Sequence, residues 1–172
     1  SPFWSIKNEN KRIAKINCMT DVTDIREANL DDLETLLAFE QGVIETERPL
    51  DPFLKKGAFC YYNIPAIITS DATHFVVAIY KNELVGCGYV RIEKSKQYQK
   101  NPLHGYIGFI YVKPNFRGKR ISSLVLESLK KWALSKELKE LRLDVYSNNP
   151  SAIKSYARFG FVKSLVNMRI DI

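Results

Sequence analysis

Four consecutive residues, Arg117-Gly118-Lys119-Arg120, stand between an apolar run and a periodic helix, and their types suit them to hold an anion. The run Ile107, Phe109, Ile110, Tyr111, Val112 stops at Pro114 and reads as a strand. After the basic turn, apolar or small residues recur at 121, 124, 125, 128, 129, 132 and 133, the spacing of a helix with one buried face. The first turn of such a helix carries backbone N–H groups without an intrahelical acceptor and the positive end of the macrodipole. Next to a glycine and three cations, that place attracts phosphate.

The basic turn alone does not decide, because a solvated Lys/Arg cluster that binds nothing opens many helices. Two other phosphate loops are excluded. Gly118-Lys119 is followed by Arg120 rather than Ser or Thr, and Lys113 stands where a Walker loop needs its earlier glycine. Gly105 and Gly108 lie before or inside the strand, not in the turn after it, so a dinucleotide loop fails too. A second constellation adds weight. Leu141, Leu143 and Val145 alternate with polar residues as a strand does and lead into Tyr146-Ser147-Asn148-Asn149-Pro150. Asn149 then suits a helix N-cap and Pro150 the first helical position. Ala152, Ile153, Tyr156 and Ala157 or Phe159 form the next apolar stripe, Gly160 ends it, and a final strand is expected from Phe161.

These two motifs resemble those of the GNAT superfamily of acyl-coenzyme A dependent N-acetyltransferases. Tyr111-Val112-Lys113-Pro114-Asn115-Phe116-Arg117-Gly118-Lys119 is similar to that family's fourth strand and pyrophosphate loop, whose usual form is (Arg or Gln)-x-x-Gly-x-(Gly or Ala). Leu143-Asp144-Val145-Tyr146, Asn149-Pro150-Ser151-Ala152 and Tyr156-Ala157-Arg158-Phe159-Gly160-Phe161 look like its fifth strand, Asn-x-x-Ala turn and Tyr-x-x-x-Gly-Phe ending. The resemblance covers Gly105 to Phe161 and departs in the loop, where Arg120 and Ser122 replace the usual small residues. With helical backbone angles at 120 the change is slight, and Arg120 adds a charge-assisted contact; with positive φ, Arg120 is strained and cofactor binding is in question.

The resemblance implies an α/β fold of the α+β kind: a mixed, mostly antiparallel twisted sheet of roughly six or seven strands with about four helices, splayed between strands 4 and 5. It implies acetyl-CoA as co-substrate, held by Arg117, Gly118, Lys119, Arg120, Ile121 and Ser122 at the diphosphate. Backbone groups of Ile110, Tyr111 and Val112, together with Asn149, would hold the pantetheine arm. It implies direct attack by a primary amine of a small molecule in a ternary complex, with Tyr156 as the general acid that protonates the leaving thiolate. The general base stays open among His104, Glu45 and Glu47; Glu47, Asp51 and Tyr106 are candidates to bind the acceptor. Two other functions also remain: an acyl-CoA sensing module without turnover, and an acetyltransferase acting on protein or peptide amines.

The elements that must position these residues are legible upstream. Asp24 to Ala28 is similar to the family's customary first strand, and Asn29 or Asp31 caps a helix with Leu30, Leu33, Leu36, Leu37, Phe39 and Val43 on its apolar face. Gly42 is expected to weaken its end, leaving Glu45 to Pro52 as a loop or broken helix. Phe59, Tyr61, Tyr62, Ile64, Ile67 and Ile68 supply a second helix or pocket wall. His74 to Tyr80 and Leu84 to Ile92 form a hairpin through Lys81-Asn82-Glu83, and Gly86 and Gly88 leave room for a bulge or a close approach.

Length and composition bound the rest. A chain of 172 residues with 45% hydrophobic content supports one substantial core, expected as a single domain over 19–172 with residues 1–18 as an upstream extension. Without 18 consecutive apolar residues or a signal-peptide core, the protein is expected to be cytoplasmic, with no membrane partner. Cys18, Cys60 and Cys87 are widely spaced, with only His74 and His104 to help, so neither a disulfide framework nor a metal site is expected. The net charge of +7 is spread along the chain without a recognition motif, which argues against a nucleic-acid partner. Monomer and homodimer both remain open.

Overall fold

Period-2 and continuous apolar runs place five strands in one sheet ordered β1-β2-β3-β4-β5 in a computed structural model that describes residues 24–172. The expected extension 1–18 lies outside the described residues. The strands are β1 (Asp24–Glu27), β2 (Thr73–Tyr80), β3 (Glu83–Lys94), β4 (Leu103–Val112) and β5 (Leu141–Leu143). The first four pair antiparallel, and β5 joins β4 in parallel. Lys81 and Asn82 close the hairpin with φ of 46° and 64°, the positive values that a two-residue turn needs to follow strand twist.

Four helices cover the sheet: α1 (Leu33–Glu47), α2 (Ile64–Thr69), α3 (Ile121–Ser135) and α4 (Pro150–Phe159). Asn29 caps the 3-10 turn that leads into α1. Its Oδ1 accepts from the Asp31 N–H at 2.9 Å, while the Asp32 carboxylate accepts from the Asn29 N–H at 2.9 Å. Arg26 on β1 donates to both Asp32 oxygens at 2.7 and 2.8 Å, which fixes the start of α1 against the sheet edge and lowers the Asp32 pKa.

Two apolar layers follow. On one face Ile121, Val125, Leu126 and Leu129 of α3 pack against Val76, Ala78, Val85, Val90 and Ile107. On the other, Leu36 and Phe39 of α1 and Ile64 of α2 meet Phe75, Val77, Tyr89 and Phe109. Burying each such side chain contributes about 1.5–3 kcal/mol, so these layers outweigh the surface ion pairs at about 0–1 kcal/mol each. Leu124, expected on the buried stripe, is 42% exposed, and Leu126 takes its place.

Two expectations are corrected. Among the described residues the sheet has five strands, not six or seven, and residues 161–172 form neither helix nor strand; a β5 of three residues presents few free backbone groups for a sixth strand to pair with. Gly42 does not weaken α1, which continues to Glu47 and carries Glu45 and Glu47 on helix rather than loop. A Cβ at Gly42 would lie 2.6 Å from the Tyr111 ring, so the missing side chain makes room for that tyrosine. Within the stretch Phe59 to Ile68, Ile64, Ile67 and Ile68 lie in α2, the expected second helix, and Phe59, Tyr61 and Tyr62 precede it in irregular chain.

Gly88 marks the close approach of α3 to the sheet, since a Cβ there would sit 2.5 Å from Val125 Cγ1 and 3.2 Å from the Phe109 carbonyl oxygen. Changing Gly88→Val is expected to lower stability by about 1–3 kcal/mol in urea unfolding, through overpacking of this contact.

Candidate active site

The ladder between β4 and β5 has three residue pairs, Gly105 with Leu141, Tyr106 with Arg142 and Ile107 with Leu143. Beyond them β5 ends while β4 continues to Val112, so Gly108–Val112 has no partner on that side and the strands part. A bulge marks the point. Tyr89 lies opposite Phe109 and Val90 opposite Ile107, which leaves Gly108 as the extra residue. A Cβ on Gly108 would fall 2.1 Å from Tyr89 Oη, and the Gly108 carbonyl accepts from the Tyr62 hydroxyl. The expected splay is therefore present, with the bulge just upstream of Ile110, Tyr111 and Val112.

One wall of the opening is basic. Arg117, Gly118, Lys119 and Arg120 are exposed, Gly118 has φ of 77°, and α3 begins with no side-chain cap on its free N–H groups. Arg117 donates Nε–H to the Val112 carbonyl at 3.1 Å, which ties the loop to the end of β4. Lys113 is engaged elsewhere, at 2.5 Å from Glu83. Ile121 is buried and anchors the first turn, while Ser122 sits at its surface. Uncapped amides flanked by exposed cations fit a diphosphate. Asn149 spends its side chain on capping α4, accepting from the Ala152 N–H at 3.2 Å.

Arg120 resolves the question left by the loop motif. Its φ of 65° and ψ of 15° are left-handed, so the residue replacing the usual glycine occupies the conformation that favours glycine.

A second cluster, acidic and aromatic, joins the end of α1 to the chain after β5. Glu47 at the end of α1 accepts from the Tyr61 hydroxyl at 2.7 Å, and burial raises its carboxyl pKa, with Asp51 adding to the rise. Asp51 is only 6% exposed and accepts from Tyr146 Oη at 2.8 Å, Arg169 at 2.8 Å and the Phe53 N–H at 2.9 Å. Arg169 above all lowers the Asp51 pKa. Tyr156 on α4 is half-buried against Phe161, and its pKa is raised by burial and then by the Glu47 charge. Glu47, Asp51, Tyr61, Tyr146 and Tyr156 thus share one electrostatic neighbourhood.

The other candidates are placed apart. Glu45 is exposed and paired with Arg48 at 3.0 Å. His104 is buried at the start of β4, with Nδ1 2.8 Å from Ser95 Oγ and Nε2 3.5 Å from Glu93, and burial, followed by Arg142, lowers its pKa. It lies before the β4–β5 ladder, while the opening lies after it. Tyr106 donates to Asp144 at 2.8 Å beneath the Arg91 guanidinium, bridging the two strands just before they part.

Sequence reasoning gave no role to Glu40 or Arg169, and it named Tyr62 only as helix or pocket wall and Tyr146 only as part of the fifth-strand motif. Glu40 is fully buried and accepts from the Tyr61 and Tyr62 N–H groups at 3.1 and 2.9 Å, holding the aromatic wall in place. A carboxylate on the buried stripe between Leu36 and Ile44 is the signal that marks it. Replacing Arg120 with glycine is expected to raise stability by about 1–2 kcal/mol in chemical unfolding by removing the left-handed penalty. Calorimetry with coenzyme A on the same variant reads the contribution of the lost cation.

The model of the Acetyltransferase (GNAT) family matches residues 30–161. A streptothricin acetyltransferase from Escherichia coli is 42% identical over 55 residues, so the match spans 32% of this chain and 32% of that relative. Among solved structures, a mutant of the BH1408 protein from Bacillus halodurans superposes with a TM-score of 0.79 at 18% identity, covering 87% of this chain and 99% of that one. The aminoglycoside N-acetyltransferase AAC(6')-Iy in complex with CoA does so with a TM-score of 0.65 at 17% identity, over 87% and 100% of the two chains. These structural likenesses concern the fold. With the family model covering most of the chain, from Leu30 through both motifs to Phe161, the protein belongs to the Acetyltransferase (GNAT) family.

Proposed function

We propose that this protein is an N-acetyltransferase that moves the acetyl group of acetyl-CoA to a primary amine of a cationic small molecule, by direct attack in a ternary complex. The observation that carries the reading is that the chain beyond the β4–β5 ladder bears two complementary clusters: exposed amides and cations at 117–122 after β4, and Glu47, Asp51 and Tyr61 joined to Tyr146 after β5. The streptothricin and aminoglycoside acetyltransferases among its relatives support a small basic acceptor.

The chemistry divides among named groups. An ammonium drawn to the acidic wall must lose a proton before its nitrogen can attack, and Glu47 is the carboxylate placed to take it, directly or through a water. Its raised pKa makes it a stronger base than an ordinary carboxylate. As the new C–N bond forms, the thioester oxygen gains negative charge, and the backbone N–H groups of β4 near Ile110, Tyr111 and Val112 stabilise it. Collapse breaks the C–S bond, the departing thiolate takes the proton of the Tyr156 phenol, and the second proton of the new amide nitrogen passes through water to the phenolate, which restores the acid. Burial and the Glu47 charge keep that phenol protonated at neutral pH, as an acid must be. Arg117, Lys119 and Arg120 hold the diphosphate while Gly118 lets the loop turn toward it.

A thiol-release assay with acetyl-CoA and a panel of basic amines tests the reading; coenzyme A binding with no release for any amine supports a sensing module instead. Changing Tyr156→Phe is expected to lower kcat by about 100-fold with acetyl-CoA affinity nearly intact, and equal activity would remove it as the acid. Because Glu47 acts deprotonated and its pKa is raised, the acidic limb of kcat should lie above the ordinary carboxylate value of 4.5, with rate lost as pH falls through it. Glu47→Gln should lower the rate and abolish that limb.

A further inference from the structure

Arg169 is the one residue of segment 162–172 that makes a hydrogen bond, ion pair or ring contact with the domain among the described residues. Its guanidinium donates to Asp51 Oδ1 at 2.8 Å and lies 4.4 Å from the centre of the Phe53 ring. The rest of the segment is little buried: Val162, Leu165, Met168 and Ile170 are each more than four-fifths exposed. One side chain therefore fastens a peptide that forms neither helix nor strand. Asp51 is the opposite case, buried and held by bonds from the Tyr146 hydroxyl and the Phe53 N–H. Its own N–H donates to the Glu47 carbonyl at 3.1 Å, so the two carboxylates leave the same turn of chain.

We propose that Arg169 is an internal stand-in for the acceptor, occupying at Asp51 a subsite for a second cation, which a guanidinium- or ammonium-bearing acceptor must displace before its amine reaches Glu47. The inference rests on the acetyl-transfer reading for the identity of the acceptor, but not for the displacement itself. A buried carboxylate stripped of its cation is strongly unfavourable, whereas exchange of one cation for another leaves the charge compensated. The Phe53 face and Tyr146 Oη stay in place through such an exchange and suit a planar cation equally well. Glu47, whose partner is the Tyr61 hydroxyl rather than a cation, remains free to meet the reacting ammonium. Selection follows: an acceptor with one charge leaves Arg169 in place, while one with two charges competes for both carboxylates.

Agmatine, a primary amine carried four carbons from a guanidinium, is the probe, and its dissociation constant is measured by calorimetry on the full chain without acetyl-CoA. In the wild type only the fraction with Arg169 released binds it in this way. If that fraction is about one-tenth, Arg169→Gln should tighten agmatine on the order of tenfold, while Arg169→Lys, which keeps a cation, should stay near the wild type. Propylamine, with a single charge, should gain far less. Equal or weaker agmatine binding in Arg169→Gln, or the same gain for propylamine, overturns the proposal. Tighter binding without thiol release from acetyl-CoA would leave the proposal standing and sink the transfer reading instead.

Discussion

Three backbone pairs between β4 and β5 govern the architecture of the site. They hold the strands together from Gly105 to Ile107 and then stop, because β5 ends at Leu143 while β4 runs on to Val112. Backbone groups that a longer ladder would consume are left free at Gly108–Val112, and free polar groups need partners. The Gly108 bulge turns its carbonyl to Tyr62, and the Val112 carbonyl takes Arg117. Each of these bonds ties one wall of the opening to the same strand. A β5 extended by two or three residues in ladder would close the opening and leave the basic loop and acidic wall with nothing between them.

The packing on both faces keeps that edge rigid. Above the sheet α3 drops close to Gly88, and its buried Ile121 fixes the first turn whose amides point to the opening. Below it, α1 settles over Tyr111 at Gly42 and carries Glu40 and Glu47 about two turns apart. Glu40 is consumed by structure, since it accepts from two backbone amides of the aromatic wall. Glu47 has only a phenol, which leaves its charge available. The different uses of two carboxylates seven residues apart follow from what each meets at its depth in the fold.

Charge is segregated across the opening although the chain as a whole is basic by +7. Cations gather at the start of α3, where the helix end already favours anions. Carboxylates gather at the end of α1 and the turn after it, among tyrosines whose pKa values burial raises. In the proposed reaction, such a divided field would orient an anionic donor and a cationic acceptor toward each other without help from the remaining surface charge.

The sequence by itself determined the elements whose signals are local. Asn149-Pro150 and Gly160 bracket α4, positive-φ residues make the hairpin, and the 3.6-residue period marks α3, because caps, turns and amphipathic faces depend on neighbours within a few residues. The family motifs at 111–119 and 143–161 lie in such elements and were readable for the same reason. What depended on distant partners was not readable: that the Glu47 charge helps raise the Tyr156 pKa, that Glu40 is structural, that Arg120 is left-handed, and that Arg169 reaches Asp51 across 118 positions of chain. The last strand failed for a related reason. Val166 to Ile172 alternates as a strand does, but alternation supplies only an apolar face, and a strand also needs an edge whose backbone groups are free to pair, which the tertiary structure alone decides.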